Sequence, residues 1–545
     1  MEAAKPTLEP DPRPEPLAGA AEPSPAKRSL ALSALGVSVA SALNILLGFG
    51  FQIVLAALFG TSLAMDAYVA ASTIPLILTA VLFGSLSVTF VPVFIEYQVH
   101  GRSDDAWAVV SGFLILCLVG LGVLCAGLAL FAEPIIRLTT PGFEPGSERF
   151  TLTVDLFRLL LPSVVIGGVA SLLRSFYHAQ RRFILAAWAP TLNTLLMVLG
   201  TLALAGRLGV TAVAIGTLLG GIVQFGLLAP ALLRSGKLTL AWNALRHPGV
   251  QRVLILMTPW VLSAIFSKSN PLIDRFLASQ LEVGAISALG YANRLMVAIT
   301  MVLTQGISVV LFPLMAEHAA RGDQDQLRTV AARGVRLTTI LAMPFVVLLL
   351  ILGEPIIAML FERGQFDAAA TRTTALALVA YLGAIFATCL GSVLTFAFYA
   401  SQDTMTVALT AIVGFLINIA AAVWLTPLFG VAGPALAFSI TALFNLVVLT
   451  IVLRRRLGGF ELDQLGVVFL KSFGAAAIAA LIWGTARMFA VALPTNSPQF
   501  ALLIGSATVL GLAAFVGAGF ALGLTELRMF GAQLAGRIAR LRNRS

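Results

Sequence analysis

Four charged side chains stand out because of where they lie. Lys268, Asp274 and Arg275 fall in one long apolar stretch, and Arg294 falls in the next. An ionised group at membrane depth is costly, so each needs a partner, water or a task. Asn270-Pro271 interrupts the first stretch. The proline removes one helical hydrogen bond and frees a carbonyl one turn back, which suits a kink beside a cavity. The guanidinium of Arg294 offers a planar fork that grips phosphate bidentately and keeps its charge at any working pH. It is a candidate anion hook; the competing reading is a structural ion pair with Asp274. Asp274 is a candidate for ion or proton coupling, or else a partner for Arg275, Lys268 or Arg294. Lys268 is a second candidate substrate cation. Arg158 shares an earlier stretch with Asp155 and Arg174, and could face either the cavity or the outer headgroups. Arg174, near the inner end, is expected to snorkel. Asp66 opens the second stretch, where a carboxylate suits the positive end of a helix, so capping is its expected role.

The surrounding elements follow from composition. The chain has 545 residues, 59% hydrophobic and 11% charged, with mean hydropathy +0.96. So few charges cannot cover a soluble protein of this length. Apolar runs of about 20 or more residues recur from Leu30 to Leu524, the length of a membrane-crossing helix. They lack the ten-residue alternation of barrel strands, and the 48 glycines suit close helix packing in lipid. The expected fold is an all-α polytopic membrane protein with fourteen transmembrane helices. The seventh is predicted over Val253–Gln280, the ninth over Leu327–Leu352 and the tenth over Thr371–Ala400.

An internal repeat organises these helices. Glu133-Pro134-Ile135-Ile136 returns as Glu354-Pro355-Ile356-Ile357, and Pro92, Glu96 and Gly101 return as Pro313, Glu317 and Gly322. Phe176-Tyr177 and Gln180 return as Phe398-Tyr399 and Gln402, and Leu208-Gly209-Val210 as Phe429-Gly430-Val431. The near-constant spacing implies two parallel six-helix repeats, residues 29–233 and 253–456, followed by two C-terminal helices over 465–524. Matched bundles of this kind suit a transporter that rocks about a central site. Residues 1–28, with seven prolines, read as a disordered cytoplasmic tail. Residues 525–545 read as a basic cytoplasmic tail, a candidate amphipathic segment for anionic lipid. Cations crowd the loops on the N-terminal side, from Arg102 through Arg181-Arg182 to Arg454-Arg455-Arg456, so both termini are expected in the cytoplasm.

Several function classes drop out. Cys117, Cys125 and Cys389 lack metal-ligand spacing and lie in apolar runs. The net charge of +10 belongs to membrane-flanking loops, without the basic stripe and interleaved aromatics of a nucleic-acid binder. Neither a Walker loop nor an HExxH or GxSxG element occurs, so ATP is not the direct energy source and no enzyme activity or cofactor is expected.

Several stretches then carry a family resemblance. They are Phe59-Gly60 with Asp66-Ala67-Tyr68; Phe90-Val91-Pro92 with Glu96-Tyr97; Arg182-Phe183 with Ala189-Pro190-Thr191-Leu192-Asn193; Tyr291-Ala292-Asn293-Arg294-Leu295-Met296; and Phe361 with Gly364-Gln365-Phe366. In this order and spacing the chain resembles the MurJ/MviN family of lipid II flippases, within the multidrug/oligosaccharidyl-lipid/polysaccharide exporter superfamily. The resemblance implies two lobes around a cationic cavity, alternating access, and movement of an undecaprenyl-diphosphate-linked glycan across the bacterial inner membrane. It implies that the last two helices form a groove for the lipid tail, with membrane lipids and cell-wall synthesis proteins as partners. It places the family's substrate arginine at Arg294, and a sodium-coordinating pair at Asp274 and Asn418; sodium or proton coupling is the corresponding expectation. The chain departs from the pattern at Phe51-Gln52, Thr79, Phe83-Gly84 and Ala422, where the family's charges are missing. Lys268 and Arg158 are the available substitutes. Those losses keep two alternatives open: an exporter of another lipid-linked oligosaccharide or a drug, and a non-transporting scaffold descended from a flippase.

Overall fold

The computed structural model describes residues 25–84, 86–233, 238, 241–459, 462–524 and 526–527. Its described residues form helices and no strand. Fourteen helices are long and apolar enough to cross a membrane. They are α1 Pro25–Phe59, α2 Leu63–Val99, α3 Ser103–Leu130, α4 Glu148–Ala179, α5 Phe183–Leu208, α6 Thr211–Leu233 and α7 Pro248–Ala278, then α8 Ala285–Ala320, α9 Gln324–Phe361, α10 Leu382–Ala400, α11 Thr404–Phe429, α12 Ala432–Arg456, α13 Leu462–Ala490 and α14 Pro498–Ala521. Short helices Ala132–Thr139 and Ala368–Ala380 precede α4 and α10. Ser62, Ser147, Asp323, Asp367, Asp403 and Ser497 each accept a first-turn N–H, satisfying donors that a helix start leaves unpaired.

The duplication is visible in packing and in backbone. In the first lobe α1 packs on α5, α2 on α4, and α6 on both α4 and α5; in the second α7 packs on α11, α8 on α10, and α12 on both α10 and α11. The turns repeat too. Gly101 and Gly322 both have φ +71°, Gly209 and Gly430 +53° and +55°, and Arg181 and Gln402 both +59°, so that Gln402 matches Arg181 and not Gln180, one residue off the pairing expected from sequence. Matching left-handed turns at matching positions are a fingerprint of one ancestral lobe used twice. Helices α13 and α14 have no counterpart and pack on α9, around the buried Trp483. Gly511 of α14 lies against that indole, where a Cβ would sit 2.0 Å from Nε1.

Three boundaries differ from expectation, and the break in the seventh helix follows it. Helix α1 begins at Pro25, inside the segment expected as a tail over 1–28, since proline is well suited to a first helical position. Residues 1–24, and the basic segment 525–545 apart from Glu526 and Leu527, lie outside the described residues. The tenth predicted helix is two helices that meet at Tyr381. The ninth runs past Leu352 and through Pro355 to Phe361. A proline there cannot bond the Ile351 carbonyl four residues back. Arg487 of α13 donates to that carbonyl at 2.8 Å and to Glu354 at 3.0 Å, which lets the helix continue. Helix α7 breaks at Ser269, between Pro248–Lys268 and Asn270–Ala278, next to Asn270-Pro271.

Candidate functional site

The two lobes meet at one end of the bundle. Asp66, at the start of α2, is fully buried. Its carboxylate receives the Arg149 guanidinium, the Gly284 N–H at 2.7 Å, and the Ser287 N–H and hydroxyl at 2.8 and 2.7 Å. Capping was the expected role, but of its own helix; Ser62 does that work, and Asp66 caps α8 in the opposite lobe. A carboxylate at a helix N-terminus gains from orphan donors and from the dipole together.

Beside this cap the chains interlock through backbone. Gln365 N–H donates to the Ala57 carbonyl at 3.0 Å. A Cβ on Gly60 would lie 2.2 Å from the Gln365 oxygen, and one on Gly364 would lie 2.1 Å from the Ala57 oxygen. Both glycines have positive φ, so each position demands glycine twice over. Tyr291 donates to the Gly60 carbonyl at 3.2 Å and packs its ring on Phe361 and Phe366. Three of the stretches behind the family resemblance therefore converge on this closed end. Farther along, the lobes are joined mainly through the first half of α7, which packs on α2 and α3 by Val250, Val253 and Met257. His247 and Arg252 fasten it there, to Asp105 at 3.0 Å and to Glu96 at 2.9 Å.

The predicted site residues divide into three groups. Arg294 stands exposed one turn beyond Gly290, facing Tyr68 of α2 and Arg275 of α7, so it sits where the lobes meet. Tyr68 in turn hydrogen-bonds Thr217 of α6. Asp274 is buried and its charge neighbour is Arg275; the structural ion pair between Arg294 and Asp274 is not formed among the described residues. Lys268 is exposed at the α7 break. Asn418 is buried in α11 and donates to Asn270 at 3.0 Å, while its own Oδ1 has no partner. Neutral oxygens and one carboxylate are the donor types a hard monovalent cation takes.

Arg158 does not join this group. It donates to the Ala129 carbonyl at 3.2 Å and pairs with Glu133 at 3.5 Å. The helix breaks at Phe131 just before Pro134, and Arg158 serves that break as Arg487 serves Pro355. These contacts tie Arg158 to that break. At the positions without the family's charges, Phe51 is buried, Thr79 bonds its own Pro75 carbonyl at 2.8 Å, and the Phe83 ring fills the space over Gly168. Sequence reasoning missed Arg149 and Ser287 as partners of Asp66; the signal was Ser287 recurring at the same repeat spacing from Asp66 as the other matched residues.

Comparisons with known proteins agree with this architecture. The family model described as "Lipid II flippase MurJ" matches residues 55–503. The lipid II flippase MurJ of Burkholderia cenocepacia is 29% identical over 429 residues, 77% of this chain and 83% of that protein. The probable lipid II flippase MurJ of Vibrio cholerae is 29% identical over 503 residues, 90% of this chain and 95% of that protein. Among solved structures, lipid II flippase MurJ in an inward closed conformation matches with TM-score 0.74 and 23% identity, covering 88% of this chain and 97% of that one. An inward-facing multidrug MATE transporter matches with TM-score 0.64 and 16% identity, over 76% of this chain and 94% of that one.

Proposed function

The chain belongs to the lipid II flippase MurJ family, and we propose on that footing that it moves a polyprenyl-diphosphate-linked glycan, the peptidoglycan precursor lipid II, across the bacterial inner membrane by alternating access. The observation that carries the reading is the exposed Arg294 guanidinium between two lobes that interlock at one end through Asp66 and the Ala57–Gln365 backbone and are joined farther along by α7. Arg294 holds the diphosphate. Lys268, at the α7 break, is the second cation on the headgroup's path. A charge-assisted contact of this kind contributes about 1.5–3 kcal/mol. The lipid tail stays outside, against an apolar groove of about 250 Å³ between α9, α10, α12 and α13, lined by Val335, Phe386, Leu390 and Phe469.

The locked end faces the periplasm in this reading, because the opposite loops carry the cations. Opening it requires Asp66 to release the α8 N-terminus. Helix α7 is the connecting part: its first half belongs to the first lobe by packing, its second half to the second lobe, and it breaks beside Asn270. Asp274 and the unpartnered Asn418 oxygen are the groups that would hold a sodium ion or, for Asp274, a proton, so cation occupancy would bias the bend of α7. A sodium-dependent rise in melting temperature, lost in Asp274→Asn, is the expected signature.

The decisive experiment is complementation of a flippase-depleted bacterium. Wild type should restore growth, and Arg294→Ala should reduce rescue by at least tenfold at equal expression. Failure of well-expressed wild type removes lipid II as the substrate; full rescue by Arg294→Ala removes the anion hook.

A further inference from the structure

The second lobe holds a cavity of about 410 Å³ between α7, α10, α11 and α12, within the size range of small-molecule sites. Among the described residues that line it none is charged. The repeat explains its polarity. In the first lobe Asn193 donates to Gln224 at 2.6 Å. The equivalent positions in the second lobe are Gly414 and Asn445. Asn445 has lost its amide partner and leans on Gly414, where a Cβ would lie 2.7 Å from its Oδ1. That oxygen is buried and unpartnered, a state that calls for a ligand or a reason.

Four hydroxyls on the wall have their protons committed. Ser392, Thr395, Thr410 and Thr441 each donate their hydroxyl proton to a carbonyl of their own helix. Their oxygens retain lone pairs, so the wall offers acceptors. Phe266 and Phe415, edge to face at 6.0 Å, add aromatic surface. The wall offers hydroxyl oxygens and the amides of Asn270 and Asn445 but no cation to offset the charge of a diphosphate. It gives an organic cation no carboxylate, and Lys268 lies between the lining residues Phe266 and Asn270 in the chain. A hydrocarbon tail would leave Asn445 unmatched. A ligand that brings several hydroxyl donors and an apolar ring face satisfies both kinds of wall.

We propose that this cavity is a carbohydrate subsite that takes an uncharged sugar ring of the lipid-linked substrate, with ring hydroxyls bonding to the Asn445 amide and donating to the threonines. The inference rests on the flippase reading and adds to it what recognises the glycan as distinct from the diphosphate.

The test compares purified full-length chain titrated with undecaprenyl diphosphate and with the same lipid carrying its disaccharide. Gly391 lines the cavity and a Cβ there meets nothing within 4 Å, so Gly391→Leu starts in open space and fills part of the cavity. Wild type is expected to favour the glycan-bearing lipid by about tenfold, the worth of one or two added hydrogen bonds. Gly391→Leu should bring that ratio to near one while leaving the bare diphosphate affinity unchanged; Asn445→Ala should reduce it about threefold and serves if the leucine variant misfolds. An undiminished ratio in both variants overturns the subsite, as does a wild type with no preference, and either leaves the flippase reading standing. Gly391-sensitive binding of tetraphenylphosphonium would assign the cavity to cations instead. A wild type that binds neither lipid removes both readings.

Discussion

Asp66 shows how one side chain can hold two lobes. Its four donors come from α4 and from the start of α8, and all are buried with it. Removing one partner from a buried charged cluster costs about 3–5 kcal/mol, because the others are left unmatched. Asp66→Asn is therefore expected to open the locked end. A cysteine placed at Ser62 should react several-fold faster with a membrane-impermeant maleimide in that background; equal rates would refute the latch. Asp403 tests a second, simpler cap, outside the membrane-spanning segments. Burial pushes its carboxyl up, but the Thr406 hydroxyl and N–H and the Arg456 guanidinium outweigh this and hold it below the ordinary value of 3.8. A carboxyl depressed in the folded state contributes stability above its unfolded pKa and loses it as pH falls through the folded one. Asp403→Ala should cost about 1 kcal/mol at neutral pH, and the gap to wild type in melting temperature should shrink on acidification below the usual aspartate range. A pH-independent gap would show that the charge contributes nothing.

The helices themselves were largely legible from apolar run length, because a lipid-facing segment has no alternative to a closed set of backbone hydrogen bonds. The break in α7 was legible from Asn270-Pro271 for the same reason. What escaped was the fate of the repeated Glu-Pro-Ile-Ile element. The same four residues end one helix at Phe131 and pass through another at Pro355, and the difference lies in partners far away in sequence. Arg158 comes from α4, and Arg487 from a helix that has no repeat mate. No local pattern reveals which carbonyl a distant arginine will serve, which is why Arg158 looked like a cavity cation. If both arginines support these helix breaks, Arg487→Met and Arg158→Met should each lower stability by about 1 kcal/mol, the net worth of one hydrogen bond. Lipid diphosphate affinity should stay at the wild-type value. A tenfold loss of affinity in Arg158→Met without loss of stability would return that residue to the substrate path.

The assembled lobes make a stronger demand than any of their parts. Alternating access requires that the locked end separate, and the backbone interlock of Ala57 with Gln365 is one of the contacts that must part. The glycines on either side, Gly60 and Gly364, admit that approach only because they lack side chains. Packed interfaces of this kind have discrete arrangements instead of a continuous range, so a bond across the seam should trap one of them. Cysteines at Ala57 and Gln365, in a background with Cys117, Cys125 and Cys389 replaced, are placed to cross-link the two lobes at the seam. Under oxidation the pair should abolish complementation and under reduction restore it, while lipid binding from the open side persists in both states. Each single cysteine should behave as wild type. If the oxidised double variant still transports, the seam does not open during the cycle, and the substrate must pass by a route other than between the lobes.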